Sequence, residues 1–232
     1  MSEKYEFTTD WFNRHAVLWE SFVTDLKPSR ILEIGSFEGR STTFLIEKAS
    51  QWNDLFIHCI DTWEGGEEHE GIDFSAVEER FDKNVNAACN QVPHNVSVWK
   101  HKGTSVKELA KLILETEIES EKFDLIYVDG SHMATDVFID AAMSFPLLRV
   151  GGVMVFDDFL MMEEENHNED ANLLHHPQLA ITAFRNIFSD KLEELQFRVN
   201  VDGKDMLLED HIKLTYPEFV RFYQMYLRKI AE

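Results

Sequence analysis

Apolar runs of strand length alternate with helical stretches through the first two thirds of this chain, and that alternation narrows the fold more than any other feature. ILEIG, LFIHCID, NVSVWKH, FDLIYVD and GGVMVFDD read as five strands. Between them, residues 40–49, 74–90, 106–118 and 134–148 have helical character, with Phe74, Val77, Phe81, Val85 and Ala88 recurring at helical steps. A helix is also expected near the start, within about 8–27. Strands separated by helices build a parallel sheet covered on both faces, with right-handed crossovers. No internal repeat or linker divides residues 1–232, so one domain is expected.

The pattern changes after Asp158. Residues 160–176, centred on MMEEENHNEDAN, are too acidic for a core and read as an insertion or lid. A helix over 178–188 follows, then a stretch able to form an antiparallel pair turning near Asp202 and Gly203. A final helix is expected over about 216–231, with Phe219, Phe222, Tyr223, Tyr226 and Leu227 along one side. Core packing is the first explanation of that stripe, and a homodimer face is the alternative.

Charge restricts the partners. The 22 basic and 43 acidic residues leave a net charge of −21, the opposite of what a broad phosphate-gripping surface needs. Nucleic-acid polymers and anionic membrane surfaces are therefore poor partners. No apolar run reaches the roughly 18 residues of a membrane span, and the first residues lack the apolar segment of a secretory signal. Cys59 and Cys89 are too few for a disulfide framework or a cysteine zinc site and read as core thiols. A cytoplasmic location is the expectation.

In open parallel sheets, ligands bind beyond the carboxyl ends of the strands, and here those ends carry unusual residues. Gly35 and Gly39, in Glu33-Ile34-Gly35-Ser36-Phe37-Glu38-Gly39-Arg40-Ser41, permit a tight turn and close approach of a ligand to the backbone. A nicotinamide dinucleotide is disfavoured, because the third glycine of its fingerprint is missing and Glu33 and Glu38 are poor company for a pyrophosphate. Asp61, at the end of the second strand, can accept both hydroxyl hydrogens of a ribose, or simply cap its strand. Trp63 is a candidate face for adenine, with plain packing as the alternative. Gly103, Thr104 and Ser105 follow the third strand and either edge the adenine pocket or cap the next helix.

Taken together, ILEIGSFEGRST, HCIDTW, KGTS, FDLIYVDGSH and GGVMVFDDF resemble, in family order, the class I S-adenosylmethionine-dependent methyltransferases over roughly residues 28–215. The resemblance implies an α/β, Rossmann-like sandwich with a seven-stranded, mostly parallel sheet of order 3-2-1-4-5-7-6, its seventh strand antiparallel and compatible with the late hairpin. It also implies that Glu33, Gly35, Ser36, Gly39 and Ser41 serve the methionine part of S-adenosylmethionine. Asp61 would serve the ribose hydroxyls, and Thr62, Trp63, Gly103, Thr104 and Ser105 complete the expected cofactor-binding residues. Asp129 would also border the cofactor.

Asp129, Asp157 and Asp158 end two strands that neighbour one another in such a sheet. Three carboxylates at one edge repel unless protonated, separated or neutralised, and a hard divalent ion such as Mg²⁺ answers that need. The bland alternative has Asp158 capping the next segment and Asp157 touching the cofactor. The arrangement is similar to metal-dependent O-methyltransferases, and the wording of DGSH and GGVMVFDDF is closest to the methyltransferase-24 type, which acts on sugar and other natural-product hydroxyls. There the three aspartates would be metal ligands. His132, three residues after Asp129, is a candidate base because an imidazole can take a hydroxyl proton near neutral pH, with cofactor positioning or helix capping as alternatives; catechol-type relatives depart from it with a lysine at the matching place. His175 and His176 read as surface residues, or as groups that reach a closed site.

The expected activity is therefore Mg²⁺-assisted O-methylation of a small hydroxylated molecule, with Asp129 and His132 at the chemistry. The competing readings are a metal-independent N- or carboxyl-methyltransferase, a non-catalytic nucleoside-binding scaffold, and a nicotinamide oxidoreductase.

Overall fold

A computed structural model of the chain describes residues 4–65, 73–115, 122–160, 174, 176–201, 203–207 and 223–232. In chain order the elements are α1 (Ala16–Leu26), β1 (Arg30–Ile34), α2 (Arg40–Ala49), β2 (Leu55–Asp61), α3 (Val77–Cys89), β3 (Val96–Lys102) and α4 (Ser105–Glu115). They continue with β4 (Phe123–Val128), α5 (Ala134–Ser144), β5 (Leu148–Phe156), α6 (Pro177–Ile187), β6 (Leu192–Glu194), β7 (Arg198–Val201), β8 (Lys204–Leu207) and β9 (Met225–Lys229). The main sheet runs β3-β2-β1-β4-β5-β9-β6, which is the expected order with β6 and β9 as its sixth and seventh strands. Strands β1 to β5 pair in parallel, and β9 is antiparallel to both neighbours.

Both faces of the sheet are covered, which explains why its central strands are apolar throughout rather than alternating. Successive side chains of β4 point to opposite faces: Leu125 and Tyr127 join one core, Ile126 and Val128 the other. The first core is closed by Trp19 of α1, Leu45 of α2 and Phe81 of α3, and the second by Leu109 of α4, Ala141 of α5 and Phe184 of α6.

The helix expected over about 216–231 gives way to a strand where its residues are described. Residues 225–229 are the strand β9, inserted between β5 and β6, and the remainder of the expected helix up to residue 222 lies outside the described residues. Met225, Tyr226 and Leu227 are all buried because this strand has a core on each face. A short, continuously apolar segment of that kind looks alike as helix or strand from periodicity alone. The hairpin turning at Gly203 is formed by β7 and β8, but it makes a sheet of its own instead of supplying the seventh strand. The acidic stretch 161–173 lies outside the described residues. Among the described residues, no helix is long and apolar enough to cross a membrane.

The site is positioned by backbone hydrogen bonds that continue past the strand ends. The Gly35 amide donates to the Ile60 carbonyl at 2.9 Å, Asp129 to Ile34 at 2.8 Å, and Asp157 to Val128 at 3.0 Å. Gly35, Asp129 and Asp157 are thereby tied at the carboxyl edge, with Asp61 beside them at the end of β2.

Candidate active site

The turn after β1 is built for glycine and for a buried acid. Gly35 has φ +88°, and a Cβ there would stand 1.9 Å from the Asp129 carbonyl oxygen. No other residue fits without moving the backbone of either strand end. Glu33 is fully buried and accepts hydrogen bonds from Ser41 at 2.6 Å, from Ser36 at 2.7 Å and from Thr42. Burial raises its pKa, and these three hydroxyls oppose the rise. Asp61 Oδ2 accepts from the amides of Ser36 at 2.9 Å and Phe37 at 2.8 Å, while Oδ1 accepts from the Trp63 amide at 2.6 Å. These contacts hold the turn open against the end of β2.

The other acids converge differently. One ligand atom from each of Asp129, Asp157 and Asp158 lies within 4.8 Å of the others. Burial pushes the Asp129 carboxyl well above the usual range, and the charges of Asp157 and Asp158 push it further. Asp158 is raised by burial and by Asp157, with His132 opposing. Asp158 also has a left-handed backbone, φ 54°, uncommon for an aspartate.

Asp157 is the best supported of the three. Tyr127 donates to its Oδ2 at 2.7 Å, the Gln224 amide nitrogen to its Oδ1 at 3.1 Å, and His15 Nε2 lies 3.6 Å away. His132 Nε2 is 3.1 Å from Asp158 Oδ2. Burial lowers the pKa of His15, and Asp157 opposes that shift.

A cavity of about 960 Å³ opens between these groups. Gly35, Ser36, Ser41, Asp61, Thr62, Gly103, Thr104, Ser105, Asp129, His132, Asp157 and Asp158 all border it. Glu33 and Gly39 stand behind it. Glu33 holds the hydroxyls of Ser36 and Ser41, which do border it, and Gly39 (φ +78°) lets the loop enter α2 beside Phe81.

Trp63 does not border the cavity. It is 2% exposed, packed against Phe81, with Lys100 4.8 Å from its ring. A buried indole N–H needs a partner, and the Phe37 carbonyl takes it at 2.9 Å, which fixes the ring in the core. His176 is buried at the start of α6 rather than on the surface, and His175 lies outside the described residues.

Sequence reasoning missed His15, Gln224 and Asp140. His15 precedes α1 and Gln224 precedes β9, and neither has a local signal, because their partner Asp157 is remote in sequence. Asp140 did carry one: it sits among Val137, Ala141 and Ser144 on the buried side of α5, an unusual place for a carboxylate.

Comparison with known proteins agrees with this architecture. The model of the methyltransferase-24 family, described as a methyltransferase domain, matches residues 32–159, more than half of the 232-residue chain. No curated protein matches the chain by sequence. Among solved structures, the O-methyltransferase TomG from Streptomyces achromogenes, involved in tomaymycin synthesis and solved with S-adenosylmethionine, is similar at TM-score 0.58 and 16% identity, over 94% of this chain and 80% of that one. An O-methyltransferase from Bacillus cereus, in complex with S-adenosylhomocysteine, gives 0.52 and 17%, over 93% and 81%. The calicheamicin methyltransferase CalS11 gives 0.54 and 15%, over 93% and 79%. At these identities the structural likeness establishes the fold.

Proposed function

Because the chain belongs to the methyltransferase-24 family and is an S-adenosylmethionine-dependent methyltransferase, we propose that it methylates a hydroxyl of a small molecule, a sugar or another natural product, with a divalent cation held by Asp129, Asp157 and Asp158. The observation that carries this reading is the convergence of three carboxylates on a cavity that the glycine turn also borders. Their hard oxygen donors fit magnesium, which binds through a few carboxylates and leaves positions for water and substrate. The natural-product roles of TomG and CalS11 support the substrate class.

S-adenosylmethionine supplies the methyl group on a sulfonium cation. When bound, magnesium would lower the pKa of a coordinated hydroxyl. The remaining work belongs to the chain. The turn at Gly35 and Ser36, with Ser41, orients the methionine part, and Asp61 accepts from the ribose hydroxyls. Asp61 has both oxygens anchored by amides, so it meets them in a fixed position. Tyr127 and Gln224 hold Asp157 in one orientation. His132, with Nε2 beside Asp158, can hold the departing hydroxyl proton at that nitrogen. The acidic surroundings favour the charged cofactor before transfer, so they aid binding; the rate advantage comes from orientation. The charge of −21 also fits a small-molecule acceptor better than a nucleic acid.

Metal-independent transfer to nitrogen or a carboxylate is the second reading, and one observation favours it. Tyr127, Gln224, His15 and His132 already oppose part of the acidic charge. The deciding experiment titrates S-adenosylhomocysteine into the protein with and without Mg²⁺, then assays methyl transfer to a panel of sugar and phenolic hydroxyls after exhaustive chelation. Binding, and transfer restored by added Mg²⁺, support the metal-assisted O-methyltransferase. Undiminished transfer in the chelated protein supports the second reading.

A further inference from the structure

The segment ahead of α1 borders the cavity, and the proposed reaction leaves it without a role. Trp11, Phe12, Arg14 and His15 line the cavity from there, with Trp11 and Arg14 on a single 3-10 turn (Trp11–Arg14). The segment meets the carboxylate cluster through His15, whose Nε2 lies 3.6 Å from Asp157 Oδ1. A molecule that presents a hydroxyl at the cluster therefore has this segment beside the rest of its body. The segment also carries an apolar face. The Trp11 ring, 45% exposed, stands 5.3 Å from the Phe37 ring, and Phe37 has a left-handed backbone (φ 46°), uncommon for an aromatic residue.

Charge indicates what could approach it. Six aspartates border the cavity, and among the described residues its only arginine or lysine side chains are Arg14 and Arg40. Arg14 is anchored through Nε, which donates to the Trp11 carbonyl at 2.9 Å. Arg40, the first residue of α2, donates from Nη1 to Asn13 Oδ1 at 3.0 Å, which ties it to the turn that carries Arg14. Its guanidinium lies over the Phe7 ring, 4.1 Å from the centroid. A guanidinium has five N–H donors, and the bond to Asn13 is the one that Arg40 makes among the described residues. Burial works against its charge, with Asp10 and Glu38 opposing, but the Glu38 carboxylate is already taken by Thr8 and Arg80. The planar fork of a guanidinium matches a carboxylate. A neutral acceptor gains nothing from two such groups, whereas an anionic one is repelled by the aspartates unless they are present.

We propose that the methyl acceptor is a hydroxylated acid, its carboxylate received by Arg14 and Arg40 and its body lying against Trp11 and Phe37, a substrate class that rests on the O-methyl-transfer reading of the cavity. The acceptor is then held at two ends, the hydroxyl at the aspartate cluster and the carboxylate at the arginines.

The test is calorimetric titration of the intact protein, saturated with S-adenosylhomocysteine and Mg²⁺, with two matched pairs: 3,4-dihydroxybenzoate against 3,4-dihydroxybenzamide, and galacturonate against galactose. In at least one pair the acid is expected to bind on the order of tenfold more tightly than its neutral partner. Arg14→Gln and Arg40→Gln should each cut that preference to about threefold or less, with the affinity for S-adenosylhomocysteine kept within about twofold. Arg14 is exposed, so its variant is expected to fold, which near-ultraviolet circular dichroism checks. Arg198→Gln, on β7 and not bordering the cavity, should keep the wild-type ratio. A wild-type protein that prefers the acid in neither pair overturns the proposal, and so does an unchanged ratio in both folded variants. If Arg40→Gln loses affinity for S-adenosylhomocysteine but not for 5′-methylthioadenosine, which lacks the amino-acid carboxylate, Arg40 serves the cofactor and the proposal also falls. Mg²⁺-dependent methyl transfer to the neutral partners without preference for the acids overturns this proposal alone. Absence of transfer to any hydroxyl removes the reading on which it rests.

Discussion

The turn after β1 and the edge formed by β4 and β5 border the same cavity, and both are acidic, but their charges are met by different means. Glu33 and Asp61 receive donors from their own neighbourhood: three hydroxyls on the first, three backbone amides on the second. Asp129 and Asp158 are raised by burial and by the carboxylates beside them, and only part of that is opposed by Tyr127 and His132. A carboxylate satisfied by local donors fixes a loop in place. A cluster left in deficit favours the protonated form of its carboxyls. The two regions meet where Gly35 passes the Asp129 carbonyl, so a change there disturbs both.

The largest expected effect breaks the comparison at that meeting point. Gly35→Ala puts a Cβ 1.9 Å from a backbone oxygen at a left-handed φ, and it should cost more than about 4 kcal/mol. Thermal melting and S-adenosylhomocysteine titration should both register it, and a variant with wild-type melting would contradict the described turn. Next comes the satisfied side. Glu33→Ala strands three buried hydroxyls and should cost about 3 kcal/mol, roughly 6–12 °C in Tm for a chain of this size. Glu33→Gln, which keeps one acceptor oxygen, should lose less.

This contrast also explains what could be read from the sequence. The central strands were legible because parallel strands with a core on each face are largely apolar, and β2 and α2 begin and end as expected. The strand-end acids were legible for the same reason, since the topology alone brings Asp61, Asp129, Asp157 and Asp158 to one edge. β9 was not, because an apolar strand enclosed on both faces carries no period that separates it from a helix. His15 and Gln224 were hidden by distance along the chain. For Trp63 the sequence left an adenine face and plain packing open, because its ring direction is set by a hydrogen bond to Phe37, a contact that no local pattern announces.

On the unsatisfied side, the comparison sharpens into opposite signs. Asp158→Asn should lower kcat by on the order of 10²-fold if the cluster holds the cation. It should also raise the melting temperature of the metal-free protein, because it removes one of the crowded charges while keeping an acceptor for His132. A gain of about 1 kcal/mol corresponds to roughly 2–4 °C. Added Mg²⁺ should stabilise the wild-type protein and leave the variant unmoved. A variant that melts lower than the wild type without metal would show that the cluster is satisfied after all, like Glu33.

Asp140 gives the smallest and most specific test, because it stands outside both regions and is linked to neither set of acids. Its carboxyl titrates at about 7 in the folded chain, against 3.8 for its ordinary value. A raised carboxylate pKa means that the folded state holds a proton the unfolded state has released, so the favourable contribution is complete below about pH 4 and is lost as pH rises through 7. Asp140→Asn cannot lose it. Urea unfolding of the ligand-free proteins should therefore show the variant gaining on the wild type by about 2 kcal/mol between pH 5 and pH 8. A difference that stays flat across that interval would place the Asp140 carboxyl in a satisfied environment, and it would move this residue to the side of Glu33 and Asp61.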